Sequence, residues 1–411
     1  MGILGPPRGP LDARPVVDFL DPDFYLGDPH AAYDWMRVHE PAFRDARGVY
    51  GLTRYADVMF AERHPQLFCS GQGYRAFWGP GEDNMIAQDD PGHAAQRSLV
   101  SRRFTPKAVR AHEPWLRSTI TSLIDQFVDD GEVEVVAALG AQLPCRLTAR
   151  LLGWPEERWA DVKSWSERLM QIDQAHLNEV HRDNFTAALS EFAGELPDLL
   201  RSRRGCPVDA APDLFSVWAN SRIDDQWMAF TTIVNETGLV ISGGAETTRT
   251  VITRGLRLMC ERPDDWEALA DDPSLVPAAV EEMIRWITPL HNFYRTVTSE
   301  VAVGDQVFQA GDRVLLAYPA ANRDPAVFPS PHEFDIGRHP NPHVGFGFGP
   351  HFCLGASLAR FELTMLFTAL SQRITNLRVV AEVVDEPNVF AAAAHSFRLG
   401  FDVRPSPVRA S

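Results

Sequence analysis

The chain has 411 residues, of which 45% are hydrophobic and 23% are charged, enough for a large buried core without low-complexity bias. Its 39 basic and 55 acidic residues give a formal net charge of −16, which disfavours a general nucleic-acid binder. Five scattered cysteines without a CxxC pair argue against a disulfide framework or a zinc ribbon.

The first 20 residues are rich in proline and predict a loosely held N-terminal arm. They contain no apolar run long enough for a signal peptide or a membrane anchor, so we expect a cytoplasmic protein without an anchor. Residues 21–411 are expected to form a single domain, because neither a repeat nor a linker divides them.

Helical patterns dominate the first two thirds of the chain. The segment "PHAAYDWMRVH" (29–39) predicts a helix, and "VYGLTRY" (49–55) predicts an extended segment. The Gly- and Asp-rich stretch 70–91 predicts a long loop, and such loops in compact proteins are usually functional or mobile. From about residue 106 to 202 the pattern is again mainly helical.

The longest predicted helix runs from Asp224 to about Glu261, a length of about 55 Å. Asp224 and Asp225 are expected to cap its N-terminus. Beyond it, "VAVGDQVFQ" (301–309) predicts a hairpin, 321–350 a polar loop, 357–374 a helix and 395–405 a strand. The fold class predicted is mainly α with a small β portion (α+β).

One cysteine has unusual neighbours, Cys353 in "GFGFGPHFCLGASLAR" (345–360). A dinucleotide fingerprint fails here, because Pro350 or Phe352 stands where the third glycine is required. The histidines before Cys353 lack the spacing of a structural zinc site, and a buried cysteine before a helix is the plainest alternative. However, glycines permit close approach to a flat surface, and a helix beginning near Ala356 would stabilise a thiolate. That combination suits a macrocyclic metal cofactor.

The segment "FGFGPHFCLG" (346–355) resembles the haem-binding loop of the cytochrome P450 family, F-G-x-G-x-H-x-C-x-G, at every fixed position. The resemblance implies haem b with Cys353 as the axial thiolate ligand of its iron. It places Phe346 and Gly347 beside the cofactor and His351 at a propionate. It also implies the fold of that family, a triangular, helix-rich unit whose long central helix crosses the haem.

The segment "VISGGAETTRT" (240–250) resembles the acid–alcohol motif of the same family, (A/G)-G-x-(D/E)-T. The resemblance implies that Glu246 and Thr247 are catalytic and deliver protons during dioxygen cleavage. From the residues alone, Gly243 and Gly244 cost the helix roughly 1 kcal/mol each relative to alanine. They predict a local distortion that leaves room for dioxygen, or simply a tolerated weak point with a surface carboxylate.

Two further motifs resemble those of the family. His93 and Arg97 match H-x-x-x-R, which together with Arg295 implies contacts to the haem propionates. Glu282 and Arg285 match E-x-x-R; by pattern alone they form an exposed ion pair of little worth. The resemblance instead implies a structural pair locked to a later arginine, for which Arg338 is the candidate.

The expected substrate pocket is mostly apolar and suits a hydrophobic small molecule. Its predicted lining residues are Tyr74, Phe77, Trp78, Val240, Ile241, Ala245, Leu290 and Phe293. The segments "AAYDWMRVHEPAFRD" and "WITPLHNFYRT" resemble the actinobacterial group that oxidises sterol side chains and branched lipids. A terpenoid or polyketide substrate remains open.

The family resemblance implies a dioxygen-dependent monooxygenase whose electrons come from NAD(P)H indirectly, through ferredoxin and ferredoxin reductase. A cluster of basic residues is either a docking patch for an acidic partner or a solvated helix face; it comprises Arg102, Arg103, Lys107 and Arg110. A monomer is expected. A thiolate-haem sensor or a peroxide-driven enzyme is disfavoured, because neither needs Glu246 together with Thr247.

Overall fold

The computed structural model describes residues 11–77, 82–208 and 212–405. Within these ranges the helices are Pro22–Leu26 (α1), His30–His39 (α2), Tyr55–Arg63 (α3), Gly92–Val100 (α4), Pro106–Arg110 (α5), Glu113–Asp125 (α6), Gln142–Leu152 (α7), Trp159–Met170 (α8), Glu179–Arg203 (α9), Leu214–Asn220 (α10), Phe230–Cys260 (α11), Pro263–Asp271 (α12), Val276–Ile287 (α13), Tyr318–Ala321 (α14) and Ala356–Arg373 (α15). The prediction of a mainly α fold is confirmed.

Most of the strands in the described ranges are short, and only the last two reach ten residues or more. They are Ala42–Arg44 (β1), Tyr50–Leu52 (β2), Phe68–Cys69 (β3), Glu132–Glu134 (β4), Arg222–Ile223 (β5), Gln226–Trp227 (β6), Asn292–Val297 (β7), Val301–Val303 (β8), Gln306–Phe308 (β9), Arg313–Ala317 (β10), Ile374–Asp385 (β11) and Ala394–Val403 (β12). One sheet has the order β1-β2-β10-β7-β3 and another the order β11-β12-β4. In the first sheet β10 runs parallel to β2, while its other pairs are antiparallel.

The hairpin predicted for 301–309 is confirmed as β8 and β9, with Gly304 in the left-handed region (φ 57°) at its turn. The start of the long helix was predicted wrongly. Asp224 and Asp225 adopt φ values of 49° and 61° in the turn between β5 and β6. Aspartate tolerates this conformation, so the pair forms a turn and α11 begins only at Phe230.

Helix α11 lies at the centre of the helical body. It packs against α7, α8 and α13, and its buried apolar residues include Ile233, Ile241, Val251 and Ile252. Its 31 residues span about 46 Å. A helix that is apolar on most of its faces is stable only when other elements surround it, which explains the central position.

The end of the predicted N-terminal arm belongs to the packed body. Val17 and Phe19 are buried against α2 and the first sheet, in a cluster with Tyr33 and Phe43. Residues 1–10, the rest of that arm, lie outside the described ranges. None of the helices in the described part of the chain combines the length and the apolar character that a membrane crossing requires.

Candidate active site

Cys353 lies at the floor of a deep cavity, in the loop that leads into α15. Its amide donates to the carbonyl of Phe346 (2.9 Å), and its carbonyl accepts from the amide of Ala356 (3.3 Å). Gly347 adopts a left-handed conformation (φ 66°), and a Cβ on Gly345 would lie 2.8 Å from the side chain of Ile284. The glycines are therefore required by the close packing of this loop.

The surroundings of the sulfur act on its ionisation in opposite directions. Burial raises the pKa of the Cys353 thiol, because desolvation disfavours the charged thiolate. The amides of Gly355 and Ala356 and the charges of Arg97 and Arg360 act to lower it. The arrangement favours a thiolate only when a cation, such as a metal ion, lies against the sulfur.

The cavity wall across from Cys353 is formed by one face of α11. Val240, Gly243, Gly244, Thr247 and Val251 all line the cavity. They share a face because 3.6 residues complete one helical turn. A Cβ on Gly243 would meet no heavy atom within 4 Å, so this glycine leaves open space above the floor. Helix α11 continues through it without interruption, so the predicted distortion is absent.

The hydroxyl of Thr247 lies at the cavity, whereas the carboxylate of Glu246 does not. Thr247 Oγ1 donates to the carbonyl of Gly243 one turn earlier (3.1 Å). Glu246 is buried behind the wall, where its Oε1 accepts from Arg249 Nε (3.0 Å) and Nη2 (2.6 Å). Burial raises the pKa of Glu246, and Arg249 acts against that effect.

Arg249 extends this pair toward the surface. Its Nη1 donates to Glu167 Oε1 of α8 (2.5 Å), and Lys163 donates to the same oxygen (2.6 Å). The side chain of Glu167 is 27% exposed, whereas that of Arg249 is 3% exposed. Polar side chains thus lead from solvent to the residue next to Thr247.

Basic and imidazole side chains converge at another part of the cavity. His93, Arg97, Arg295 and His351 all line it, and the rings of His93 and His351 lie 4.3 Å apart. Burial, followed by the nearby Arg295, His93 and Arg97, lowers the pKa of His351 to about 2. Among the described residues, His93 Nε2 is buried without a hydrogen-bond partner. Together these groups suit a bound anion.

Glu62 is a residue of this region that the sequence analysis missed. Its Oε2 accepts from Arg295 Nη2 (2.9 Å) and its Oε1 from the hydroxyl of Tyr318 (2.5 Å). The side chains of Glu62 and Arg295 are 3% and 4% exposed. Their pairing fixes the guanidinium at the cavity edge. A lone glutamate in α3 carries no pattern that would have predicted this role.

Comparison with known proteins decides the family. The sequence profile described as Cytochrome P450 matches residues 158–389, more than half of the chain. The chain belongs to the cytochrome P450 family. The steroid C26-monooxygenase of Mycolicibacterium smegmatis is 38% identical over 94% of this chain and 96% of its own. The methyl-branched lipid omega-hydroxylase of Mycobacterium tuberculosis is 32% identical over 85% of this chain and 83% of its own.

Solved structures agree with this assignment. A cytochrome P450 from Bacillus megaterium, solved in complex with testosterone, has a TM-score of 0.82 at 26% identity, with 90% of this chain and 97% of that chain covered. The chain is therefore a monooxygenase that uses haem b and dioxygen, with NAD(P)H-derived electrons supplied through partner proteins.

The residues at the cavity fit haem b. Cys353 could supply a sulfur ligand at the floor, and the glycines of its loop would let the backbone come close to a flat group. The converging His93, Arg97, Arg295 and His351 match two propionates, which would give the orphaned Nε2 of His93 a partner. These four side chains and the sulfur of Cys353 lie in one cavity, as a single bound haem requires.

The structure brings some of the predicted substrate-pocket residues to the cavity and not others. Tyr74, Val240, Leu290 and Phe293 line the cavity, whereas Phe77, Ile241 and Ala245 do not. Trp78 lies outside the described residues.

The helical geometry of α11 explains two of these corrections. Ile241 and Ala245 follow lining residues by one position and are turned about 100° away, into the apolar core. Phe77 donates its amide to Asp173 (3.0 Å), in a loop with no periodicity from which a facing side could be predicted.

The three residues predicted as a structural set lie together. Arg285 donates through Nε and Nη2 to the two oxygens of Glu282, and Arg338 Nε lies 3.1 Å from both. Arg285 also donates to the carbonyls of Asn322, Pro331 and Glu333. The pair is buried and ties α13 to the polar loop that precedes Cys353, so the reading from pattern alone, an exposed pair, was wrong.

The predicted basic patch needs one correction. Arg102, Lys107 and Arg110 are exposed, but Arg103 is half-buried and donates to the carbonyl of Val208 (3.0 Å). The patch therefore consists of Arg102, Lys107 and Arg110. These residues lie on segments that pack against α15, the helix that follows the Cys353 loop.

Proposed function

We propose that this cytochrome P450 hydroxylates the branched aliphatic side chain of a steroid. The observation that carries the proposal is the 38% identity, over 94% of the chain, to a relative named a steroid C26-monooxygenase. The mostly apolar lining of the cavity supports it, including Val240, Leu290 and Phe293. The similarity to a methyl-branched lipid omega-hydroxylase points to the same kind of reacting carbon.

Each group of side chains has a distinct part in binding. Haem, when bound, supplies the iron centre at which dioxygen is activated. Cys353 donates electron density to that iron as its thiolate ligand. His93, Arg97, Arg295 and His351 neutralise the propionates. Glu62 holds Arg295 in the orientation that this contact needs.

Protons reach the cavity through polar residues of α11. Thr247 presents a hydroxyl to the cavity, and its bond to the carbonyl of Gly243 orients it. Glu246, the neighbouring carboxyl group, can pass on a proton from solvent when its bond to Arg249 opens. The open space at Gly243 leaves room for the oxygen molecule beside this hydroxyl.

The apolar walls position the substrate. Val240 and Val251 on α11 and Phe293 on β7 line the same cavity as Thr247, so they can hold an aliphatic chain and exclude water. Orientation of one C–H bond toward the oxidant is the main contribution that such walls make to rate and selectivity.

Electrons are proposed to come from a ferredoxin. Arg102, Lys107 and Arg110 are exposed cations on a chain of net charge −16, and they suit an acidic partner. Phe348 and Phe352 of the cysteine loop are each 38% exposed on the same loop as Cys353. A partner docked there would lie beside the loop that carries Cys353. The monomeric state and the cytoplasmic location stay predictions.

The test is a spectral titration of the haem-loaded protein followed by product analysis. A sterol with its complete side chain should displace the water ligand and shift the haem spectrum, and turnover should yield a product hydroxylated on a terminal side-chain methyl. A steroid nucleus without the side chain serves as the matched control and should give little product. If only terpenoids or polyketides bind and are oxidised, the steroid proposal is wrong.

A further inference from the structure

Arg75 is a buried cation in the wall of an otherwise apolar cavity. It lines the same cavity as Cys353 and is only 6% exposed. Within the described ranges, its Nε is buried without a hydrogen-bond partner. A buried N–H donor without an acceptor is costly, because it has lost its hydrogen bonds to water without replacement.

The surroundings of Arg75 hold it without satisfying its donors. Its Nε lies 3.6 Å from Asp173 Oδ2, close enough for charge compensation but too far for a hydrogen bond. The guanidinium lies over the rings of Tyr74 (5.2 Å) and Phe390 (5.4 Å). The hydroxyl of Tyr74 donates instead to Glu82 (2.5 Å). The side chain is thus fixed in place while its N–H groups keep capacity for a bound molecule.

Arg75 is distinct from the cations that suit the haem propionates. Its neighbours are Tyr74, the segment after α8 and the turn at Phe390. By contrast, Arg97 donates to the carbonyl of Phe352 in the cysteine loop, and His93 stacks on His351 there. Among the described residues, the ion pair and ring contacts of the Arg75 side chain do not involve the cysteine loop. Arg75 therefore lies in the part of the cavity lined by Tyr74 and Phe390.

The charge balance selects the kind of group that Arg75 can take. Asp173 is fully buried and already compensates the guanidinium, with Glu82 close by. A bound carboxylate would bring a further negative charge into this buried region at high desolvation cost. A neutral carbonyl oxygen accepts a hydrogen bond from an ionised donor without that cost.

We propose that Arg75 determines specificity by donating a hydrogen bond to a neutral carbonyl oxygen at the substrate end remote from the oxidised carbon. The inference rests on the proposed steroid function and deepens it. In a 3-oxo steroid, the oxygen attached to C3 and the aliphatic side chain lie at opposite ends of a rigid nucleus. Arg75 therefore selects 3-oxo steroids and sets how deeply the side chain reaches toward Thr247.

The experiment compares two ligands by spectral titration of the haem-loaded protein: a 3-oxo sterol and the same sterol hydrocarbon without the oxygen. In Arg75→Met, the dissociation constant of the 3-oxo sterol should rise about 10-fold, while that of the hydrocarbon should change less than about 2-fold. For Arg75→Lys, the dissociation constant of the 3-oxo sterol should lie between the values for the unaltered protein and for Arg75→Met. Arg313→Met is the matched control, because Arg313 supports the same loop through the carbonyl of Arg75 but does not line the cavity.

An unchanged affinity ratio in Arg75→Met or an equal loss in Arg313→Met would overturn the inference, and so would tighter binding of the matching sterol carboxylate than of the ketone in a parallel titration. Loss of haem from Arg75→Met would also overturn it, since that would place Arg75 at a propionate. If neither sterol binds the unaltered protein, the steroid proposal itself fails. The same comparison is then made with an apolar ketone that binds and its deoxygenated analogue. The role of Arg75 is rejected if Arg75→Met leaves the ratio of their affinities unchanged, or if no apolar ketone binds.

Discussion

Arg285 donates two hydrogen bonds of 2.7 Å to Glu282, and both side chains are fully buried. Arg338 adds a second cation, 3.1 Å from both carboxylate oxygens. The carboxylate therefore lies between two guanidinium groups that also bind carbonyls of the loop before Cys353. The position of the cysteine loop depends on this buried set.

Replacement of Glu282 should be strongly destabilising. Glu282→Gln leaves two buried guanidinium groups without a counter-charge, and the loss of one partner from a buried pair typically costs about 3–5 kcal/mol. Glu113→Gln breaks an exposed pair with Arg117 and should cost less than about 0.5 kcal/mol. Urea unfolding of the haem-loaded proteins measures both. Similar small losses in the two variants would show that the buried set does not hold the loop.

Removal of the Thr247 hydroxyl should uncouple oxygen consumption from product formation. Thr247→Ala removes the hydroxyl that lies at the cavity, so the expected result is at least a several-fold fall in product formed per dioxygen consumed. Thr250→Ala is the matched control, since Thr250 makes the same bond to a carbonyl one turn earlier but does not line the cavity. Equal coupling in the two variants would remove Thr247 from proton delivery.

Charge reversal at the basic patch should slow reduction by a ferredoxin. Lys107→Glu combined with Arg110→Glu replaces attraction by repulsion, so the second-order reduction rate should fall about 10-fold or more at low salt. The same variant should also show a weaker dependence of that rate on salt. Arg182→Glu, on the exposed surface of α9, makes one charge reversal elsewhere. A rate as fast as that of the unaltered protein would reject the patch.

Glu236 should make stability depend on pH. Burial raises its pKa from 4.5 to about 8, while its Oε1 accepts from the amide of Met85 and its Oε2 has no partner among the described residues. The folded chain therefore binds this proton more tightly than the unfolded chain. Its contribution to stability is complete below pH 4.5 and is lost as pH rises through 8.

Glu236→Gln should remove that contribution, because the amide is neutral at every pH. The free energy of unfolding of the variant should fall less between pH 5 and pH 8 than that of the unaltered protein. Glu362, whose pKa burial also raises to about 8, keeps its own part of the dependence. Parallel curves for variant and unaltered protein would show that Glu236 is ionised in the folded state.

The sequence located those features that have a short, contiguous pattern of residues. The cysteine loop, the acid–alcohol pair and the hairpin at Gly304 are short contiguous signals, and each lies where it was predicted. The wall of α11 shows the limit. Which of its residues line the cavity depends on their rotation around the helix axis. The prediction selected apolar residues without considering that rotation, so it wrongly included Ile241 and Ala245.

Contacts between distant segments could not be predicted in this way. Glu62 contacts Arg295 and Tyr318, from which it is separated by more than 230 positions in the sequence. Arg75 contacts Asp173, which lies in the segment after α8. No periodicity or composition links such residues, since their proximity is a product of tertiary packing. The two features most informative about substrate and cofactor binding were therefore visible only in the structure.

The proposed binding of haem depends most directly on Cys353 as the thiolate ligand of its iron. The decisive measurement is the absorption spectrum of the reduced, carbon-monoxide-bound protein, compared with Cys353→Ser and with Cys260→Ser, another half-buried free cysteine. The account predicts the thiolate-type spectrum in the unaltered protein and in Cys260→Ser, and its complete loss in Cys353→Ser. A thiolate-type spectrum that survives in Cys353→Ser would contradict it.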